Sequence, residues 1–369
     1  MLGDRTTAYI LFLYTLTGFF VFIEPAPTDL IFVGLLLLLP FYKKAYIIRE
    51  VFVYTSIISF ITLVLFFFVD NKQALLSFGA LTIYLLLTVL IVSTYIAKSN
   101  RNLKYLWNGY VWSAIISACL ILLIQIGVLP WKEVIFYGDY RLEGFFKDPN
   151  VFGPYMVAPT IYMIGRSLSG KKRALSIITV SVFLILIFQA GSRGAWLNLF
   201  VSLVVFFILF DRKYSKRVYY FIPIVAIVLI LIQLSSFEFN SILEQRTELQ
   251  AYDYTRFSNW YEAFGTFLVK PLGVGAGQSI SKLGMAPHNV YLILLADYGL
   301  IGFIIWGAFG IHTLCGYKNP SDKTNNLIYI TAYASLIGIL ANSFFIDSTH
   351  WRHLYLLIGI VWGIKVSVR

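Results

Sequence analysis

Apolar residues in this chain come in long runs rather than in alternation. Stretches rich in Leu, Ile, Val and Phe lie near residues 7–23, 28–41, 51–69, 74–97, 108–130, 151–168, 174–190, 195–210, 218–235, 299–315, 326–345 and 352–367. Runs of this length predict helices that cross a bilayer, about twelve of them. Continuous runs also argue against a membrane β-barrel, whose strands alternate apolar and polar positions. The first run (7–23) lacks a small-residue cleavage site and is read as a first span rather than a signal peptide. The expected fold is therefore all-α, a polytopic transmembrane helical bundle of about twelve spans. Residues 1–369 form a single membrane domain in this reading, and the polar stretch 235–289 is one long outer loop within it.

Composition agrees with the pattern. Of 369 residues, 59% are hydrophobic and 13% charged, too little charge to cover a soluble protein of this size. The net charge of +11 by itself suggests a nucleic-acid partner. Its distribution argues otherwise. With the N-terminus placed inside, the inner segments collect Arg5, Lys43, Lys44, Arg49, Lys98, Arg101, Lys104, Arg166, Lys171–Arg173, Arg212–Arg217, Lys318, Lys323 and Lys365. That is the positive-inside bias of short loops. Cys119 and Cys315 lie far apart in or beside apolar runs and imply neither a disulfide framework nor a zinc site.

The opposite face is net acidic, yet it carries Arg141, Arg193, Arg246, Arg256 and Arg352. A guanidinium keeps its charge and its donor fork matches phosphate oxygens. Gly191-Ser192-Arg193-Gly194 is the whole connection between two runs, so Arg193 sits near headgroup depth. It either snorkels to a lipid phosphate or, helped by small neighbours that let a ligand reach the backbone, belongs to a site. Asp148-Pro149-Asn150 before an apolar run reads as a helix start with Asn150 as cap. Arg141 and Lys147 approach from the preceding loop, and Asp148 is a candidate partner for one of them.

In the long loop Phe257, Trp260, Tyr261, Phe264, Phe267 and Leu268 share one helical face, with Ser258, Asn259 and Glu262 opposite. This predicts an interfacial amphipathic helix with Arg256 at the edge of its apolar arc. Pro271–Gly277 has a G-x-G-x-G spacing but no strand before it; it reads as a flexible connection whose amides can meet an anion. His288 closes the loop. It is either a packed, hydrogen-bonded histidine or a general base, since an ordinary imidazole titrates at about 6.5. Asn289 either orients that imidazole or starts the next helix. The outer acids lack D-x-D spacing, so no metal site is expected.

Together, Arg141-Leu142-Glu143-Gly144 with Asp148-Pro149-Asn150, Ser192-Arg193-Gly194 with Leu197, Arg256 with Trp260, Pro271-Leu272-Gly273-Val274-Gly275, and His288-Asn289 followed by Gly299 and Gly302 resemble the O-antigen ligase/O-antigen polymerase superfamily of bacterial surface-polysaccharide enzymes. The resemblance covers roughly residues 140–305. It implies a metal-independent, inverting membrane glycosyltransferase that takes undecaprenyl-pyrophosphate-linked glycans and needs no cofactor or nucleotide sugar. It implies location in the bacterial inner (cytoplasmic) membrane, with both termini cytoplasmic and the site facing the exterior. Carried over by position, it implies that Arg193 and Arg256, with Arg141, hold the lipid pyrophosphate. His288 would be catalytic, and Asn289, Ser192, Asp148 and Asn150 would support. The implied partners are the undecaprenyl-linked oligosaccharide, membrane lipids, and a chain-length regulator or flippase, with no nucleic acid.

Within that superfamily the compact outer loop leaves little protein to dock a large lipid A-core acceptor. The favoured reading is thus a polymerase of O-antigen, capsule or exopolysaccharide repeat units. The alternatives are a ligase to lipid A-core, a protein O-glycosylating ligase and an O-acetyl-modifying membrane enzyme. From another class comes a flippase for the same lipid, which calls for ionisable residues or broken helices at mid-membrane depth. The apolar runs, as delimited above, are nearly free of charge.

Overall fold

The computed structural model describes residues 4–42, 46–69, 71–138, 140–170, 173–210, 251–283, 286–318 and 320–367. The apolar run at 218–235, the basic stretch 212–217, the first part of the long loop with Arg246, and Lys43, Lys44, Lys171 and Lys172 lie outside the described residues. Every other apolar run contains a helix. In chain order these are α1 (Asp4–Leu16), α2 (Pro27–Leu38), α3 (Arg49–Leu65), α4 (Lys72–Lys98) and α5 (Asn100–Gln125). A short α6 (Lys132–Ile135) follows, and then a two-stranded hairpin, β1 (Phe136–Tyr137) and β2 (Arg141–Leu142), in which Tyr137 faces Arg141. Next come α7 (Pro149–Leu168), α8 (Arg173–Gln189) and α9 (Arg193–Leu209). After the gap are α10 (Ala251–Val269), α11 (Gln278–Leu283), α12 (Val290–Leu314), α13 (Lys323–Asn342) and α14 (Arg352–Ser367).

Among the described residues the chain is all-α apart from one hairpin, as suits an integral membrane protein, but they do not show the expected twelve spans. Among the described residues four helices are long and apolar enough to cross a membrane: α4, α5, α12 and α13. The reason is that a hydropathy window counts residues whatever their backbone does. The first run leaves the α-helix at Leu16, where Thr17–Phe19 tighten into a 3-10 turn. The second does the same at Leu39–Phe41, with Pro40 inside the turn. α8 and α9 have 17 residues each, roughly 25 Å of helix against a hydrocarbon core of about 30 Å. α7 has the length, yet it dilutes its apolar content with Pro154, Pro159 and two tyrosines.

The chain divides into two compact units. The first holds residues 1–43, 99–248 and 320–338. Its helices meet through small residues and hydroxyls. Thr15 donates to the Leu106 carbonyl at 2.7 Å beside Gly109, where a Cβ would strike the α1 backbone. Tyr110 donates to the Tyr155 carbonyl at 2.8 Å, and Tyr155 in turn donates to Ser113 at 2.6 Å. Such bonds give buried polar groups the partners that lipid cannot supply.

The second unit holds residues 44–98, 249–319 and 339–369. Here α4 and α14 pack closely at Gly359 and Gly363, where an added Cβ would meet Val92 and Ile96. The carbonyls at the end of α12 are capped by Lys365, whose Nζ donates to His312, Thr313 and Cys315.

The second unit turns on a break in α12. Gly299 has φ 65 and ψ −170, so the helix is interrupted there, one turn before Gly302. In an unbroken helix the Ala296 carbonyl would accept from Leu300. Instead Leu300 donates to the Pro271 carbonyl at 2.9 Å, while Ala296 accepts from Val274 at 3.0 Å and the Asp297 carbonyl accepts from Gly275 at 2.8 Å. The Pro271–Gly275 segment therefore satisfies the groups that the break releases. It crosses so close that a Cβ on Gly273 or Gly299 would strike the other's backbone. The segment is a clasp, which corrects its reading as a flexible connection.

Gly299→Ala is expected to lose about 1–3 kcal/mol from the left-handed backbone alone, before the collision with Leu272 and Gly273 is counted. Thermal unfolding in detergent measures it. A variant melting with the wild type would show that the clasp is dispensable.

Candidate active site

In the first unit, five of the expected site residues, Arg141, Asp148, Asn150, Ser192 and Arg193, lie around the start of α7 and α9. Asp148 is the N-cap of α7, its carboxylate accepting from the Asn150 amide at 2.8 Å. This corrects the expectation that Asn150 caps the helix: the residue before proline holds the extended backbone a cap needs, and proline takes the first helical position. Asn150 is thereby free to accept from Arg141, whose Nη2 donates at 2.9 Å. Arg141 also donates through Nε to the Ala190 carbonyl at 3.2 Å. Lys147 lies 3.5 Å from Glu24.

Ala190 leads directly into the turn that carries Arg193. Gly191 turns at φ 56, and Ser192 caps α9 by accepting from the Ala195 amide at 3.3 Å. Arg193 is the first residue of α9. A cation at a helix N-terminus adds to the positive end of the dipole instead of offsetting it. Arg193 and the dipole together favour an anion in front of the helix. The Arg141–Ala190 bond ties the second guanidinium to this same turn. Glu143 nearby has its pKa raised, first by burial and then by Asp148, with Arg141 opposing.

In the second unit the site centres on His288. It sits at φ 52, a left-handed backbone rare for a side chain with a Cβ. Three contacts impose that geometry. The Trp260 indole donates to the Pro287 carbonyl at 2.6 Å. Val290 donates to the Ser343 carbonyl at 2.9 Å. Asn289 caps α12, accepting from Tyr291 at 3.0 Å and Leu292 at 3.2 Å. Of the two roles open to Asn289, starting the helix is the one it performs. The His288 Nδ1 is buried with no hydrogen-bond partner. Burial, and then the positive charge of Arg256, lower the imidazole pKa from 6.5, while Asp347 pulls the other way. Arg256 lies 3.8 Å from Asp253, one turn earlier in α10.

α10 is amphipathic as expected, but its orientation is the reverse of a soluble helix. Tyr254, Phe257, Tyr261, Phe264 and Leu268 form an exposed apolar stripe, while Asp253, Asn259 and Ala263 are buried against the protein. An exposed aromatic stripe of this kind suits a membrane interface.

Sequence reasoning missed Asp297 and Asp347. Asp297 is 1% exposed; its carboxylate accepts from the Gly277 amide at 2.8 Å and the Ser279 amide at 2.9 Å. One amide of the glycine-rich segment, that of Gly277, does meet a carboxyl group, and it is the chain's own. The signal was a lone acid in an apolar stretch, hidden because the run was taken to begin at Gly299 rather than at Val290. Asp347 holds its loop by accepting from the Thr349 amide at 2.9 Å. Among the described residues no three His, Cys, Asp or Glu side chains cluster as metal ligands.

Residues 178–307 match the protein family described as O-antigen ligase. The match takes in Ser192, Arg193, Arg256, the Pro271–Gly275 clasp, His288, Asn289 and Asp297, and leaves Arg141, Asp148, Asn150 and Asp347 outside. No curated protein matches the chain.

A histidine-selective NMR titration is expected to place the His288 midpoint below 6.5, with Asp347→Asn moving it lower and Arg256→Gln moving it higher. The folded-state pKa is depressed, so the stability attached to this group is present above the unfolded-state value of about 6.5 and is lost as pH falls through the folded one. A midpoint above 6.5 in the wild type would contradict the buried, cation-flanked environment.

Proposed function

We propose, for a chain that belongs to the O-antigen ligase/O-antigen polymerase superfamily, that it polymerises undecaprenyl-pyrophosphate-linked oligosaccharide repeat units. It acts in the bacterial inner membrane, with the site on the outer side and both termini in the cytoplasm. In this reading an acceptor sugar hydroxyl attacks the anomeric carbon of the donor glycan. The bond from that carbon to the pyrophosphate oxygen breaks, its electron pair leaves with the lipid pyrophosphate, and the hydroxyl proton passes to His288. The anomeric carbon inverts.

The observation that carries the reading is the environment of His288. A base must be neutral to accept a proton, and burial beside Arg256 favours the neutral imidazole. Negative charge grows on the departing pyrophosphate, so a guanidinium beside it stabilises the transition state more than the ground state; Arg193 and Arg141 of the first unit and Arg256 of the second are the residues proposed for that role. Guanidiniums in these roles leave no step that calls for a metal or cofactor. Ser192, Asp148, Asn150 and Asn289 support the site by holding backbone and guanidinium geometry.

The family match does not separate ligase from polymerase; polymerase rests on the compactness of the outer loop expected over residues 235–289. The flippase reading draws on the break in α12 beside a buried carboxylate. Against it, both Asp297 oxygens already accept backbone amides.

His288→Ala and Arg193→Ala are expected to abolish the polymer ladder while the protein still inserts. Each guanidinium is worth about 2.7–4 kcal/mol, or roughly 10²–10³ in rate, by analogy with an oxyanion donor. Arg193→Lys should fail as well, because a point charge loses the bidentate fork. A wild-type ladder from either alanine variant would falsify the site. Surface glycans of a deletion strain separate the readings: core bearing a single repeat marks a lost polymerase, and bare core with polymer left on the carrier marks a lost ligase.

A further inference from the structure

The second unit contains a cavity of about 440 Å³. Its wall takes side chains from both arms of α12, from Val290 before the Gly299 break to Leu314 after it, so the space is an elongated tube rather than a compact pit. Phe303, Trp306, Phe309, Ile311 and Leu314 make one stretch of the wall apolar but for the Trp306 indole nitrogen. Polar side chains collect where the wall passes Ser343, Thr349 and His350. Asp297 also borders the space, but both its oxygens are occupied by amides.

Two glycines on this wall are informative. A Cβ on Gly307 or Gly310 would meet no atom within 4 Å. They differ in this from Gly359 and Gly363, which exist so that α4 and α14 can touch. Glycine weakens a helix relative to alanine, and here it gains no helix contact in return. What the two positions preserve is open space. An apolar tube left empty forfeits packing in proportion to its volume. Among these side chains water would find only the Trp306 indole N–H, fewer partners than a buried water needs.

We propose that this tube binds one hydrocarbon chain of a membrane lipid, with the lipid's polar end toward Thr349 and His350. The chain can be an acyl chain of a bilayer phospholipid or the isoprenoid of a lipid-linked sugar; the contacts that recognise it are the same.

Photo-crosslinking in nanodiscs tests this with two probes, a phosphatidylethanolamine carrying a diazirine on its acyl chain and a polyprenyl phosphate carrying one on its isoprenoid. Adducts are expected on Phe303–Leu314 and Leu354–Ile358 from at least one probe. The probe that labels them identifies the source of the chain. Gly310→Leu, whose Cβ enters open space, should reduce those adducts about ten-fold or more. Adducts on Phe60, which is exposed on α3, should stay unchanged. Wild-type protein with no adducts on the tube wall from either probe would overturn the proposal, whatever the variant does. Undiminished wall adducts in a Gly310→Leu protein that melts with the wild type would overturn it equally. The readout needs no turnover, so loss of the catalytic reading leaves it intact.

Discussion

A helix that breaks among apolar neighbours exposes amides and carbonyls for which lipid offers no partner, and the second unit is arranged around that constraint. At Gly299 the freed groups of α12 find Pro271, Val274 and Gly275. Asp297 then reaches out to the amides of Gly277 and Ser279. Carbonyl, carboxylate and amides form one continuous set of bonds across the break. The segment between α10 and α11 is fixed to α12 by this set, and α10 brings Trp260 to the carbonyl of Pro287. The strained backbone of His288 is thus held from two directions, by the indole on one side and by the cap and Ser343 contact of α12 on the other.

The first unit solves a similar problem with a different device. Arg141 bridges the side chain of Asn150 and the carbonyl of Ala190, and so joins the first turn of α7 to the turn before α9. Two caps, Asp148 and Ser192, point two helix starts at the same region. Positive dipole ends and guanidiniums concentrated in one place are costly without an anion and favourable with one. This electrostatic asymmetry, more than any single contact, favours an anion beside the two helix starts.

The site was legible in the sequence by residue type and poorly legible by role. Asn289 offers a helix start as one of two readings because a short polar side chain before an apolar run suits a cap, whereas Ser192 is legible only as a small neighbour of Arg193 and its capping of α9 emerges in the fold. Asn150 was misassigned because Asp148 and Asn150 are both capable caps, and only the backbone of the residue before proline decides between them. Asp297 was overlooked because Gly299 was taken as a boundary, although glycine at a positive φ can equally mark an interruption within one helix. The glycine-rich segment was recognised as an anion contact without its anion, since that carboxylate lies some twenty residues further along the chain.

What the sequence determined by itself is the class of structure. Long apolar runs require helices, because a backbone in lipid must bond to itself, and that rule is local and additive along the chain. The aromatic stripe of α10 follows from helical periodicity alone, again a local property. The tertiary structure decided how many helices are long enough to cross, which polar residue caps and which one bridges, and where the break in α12 finds its partners. Those outcomes rest on pairing groups distant in sequence, and hydrogen-bond satisfaction is a property of the whole packed chain that no window of residues contains.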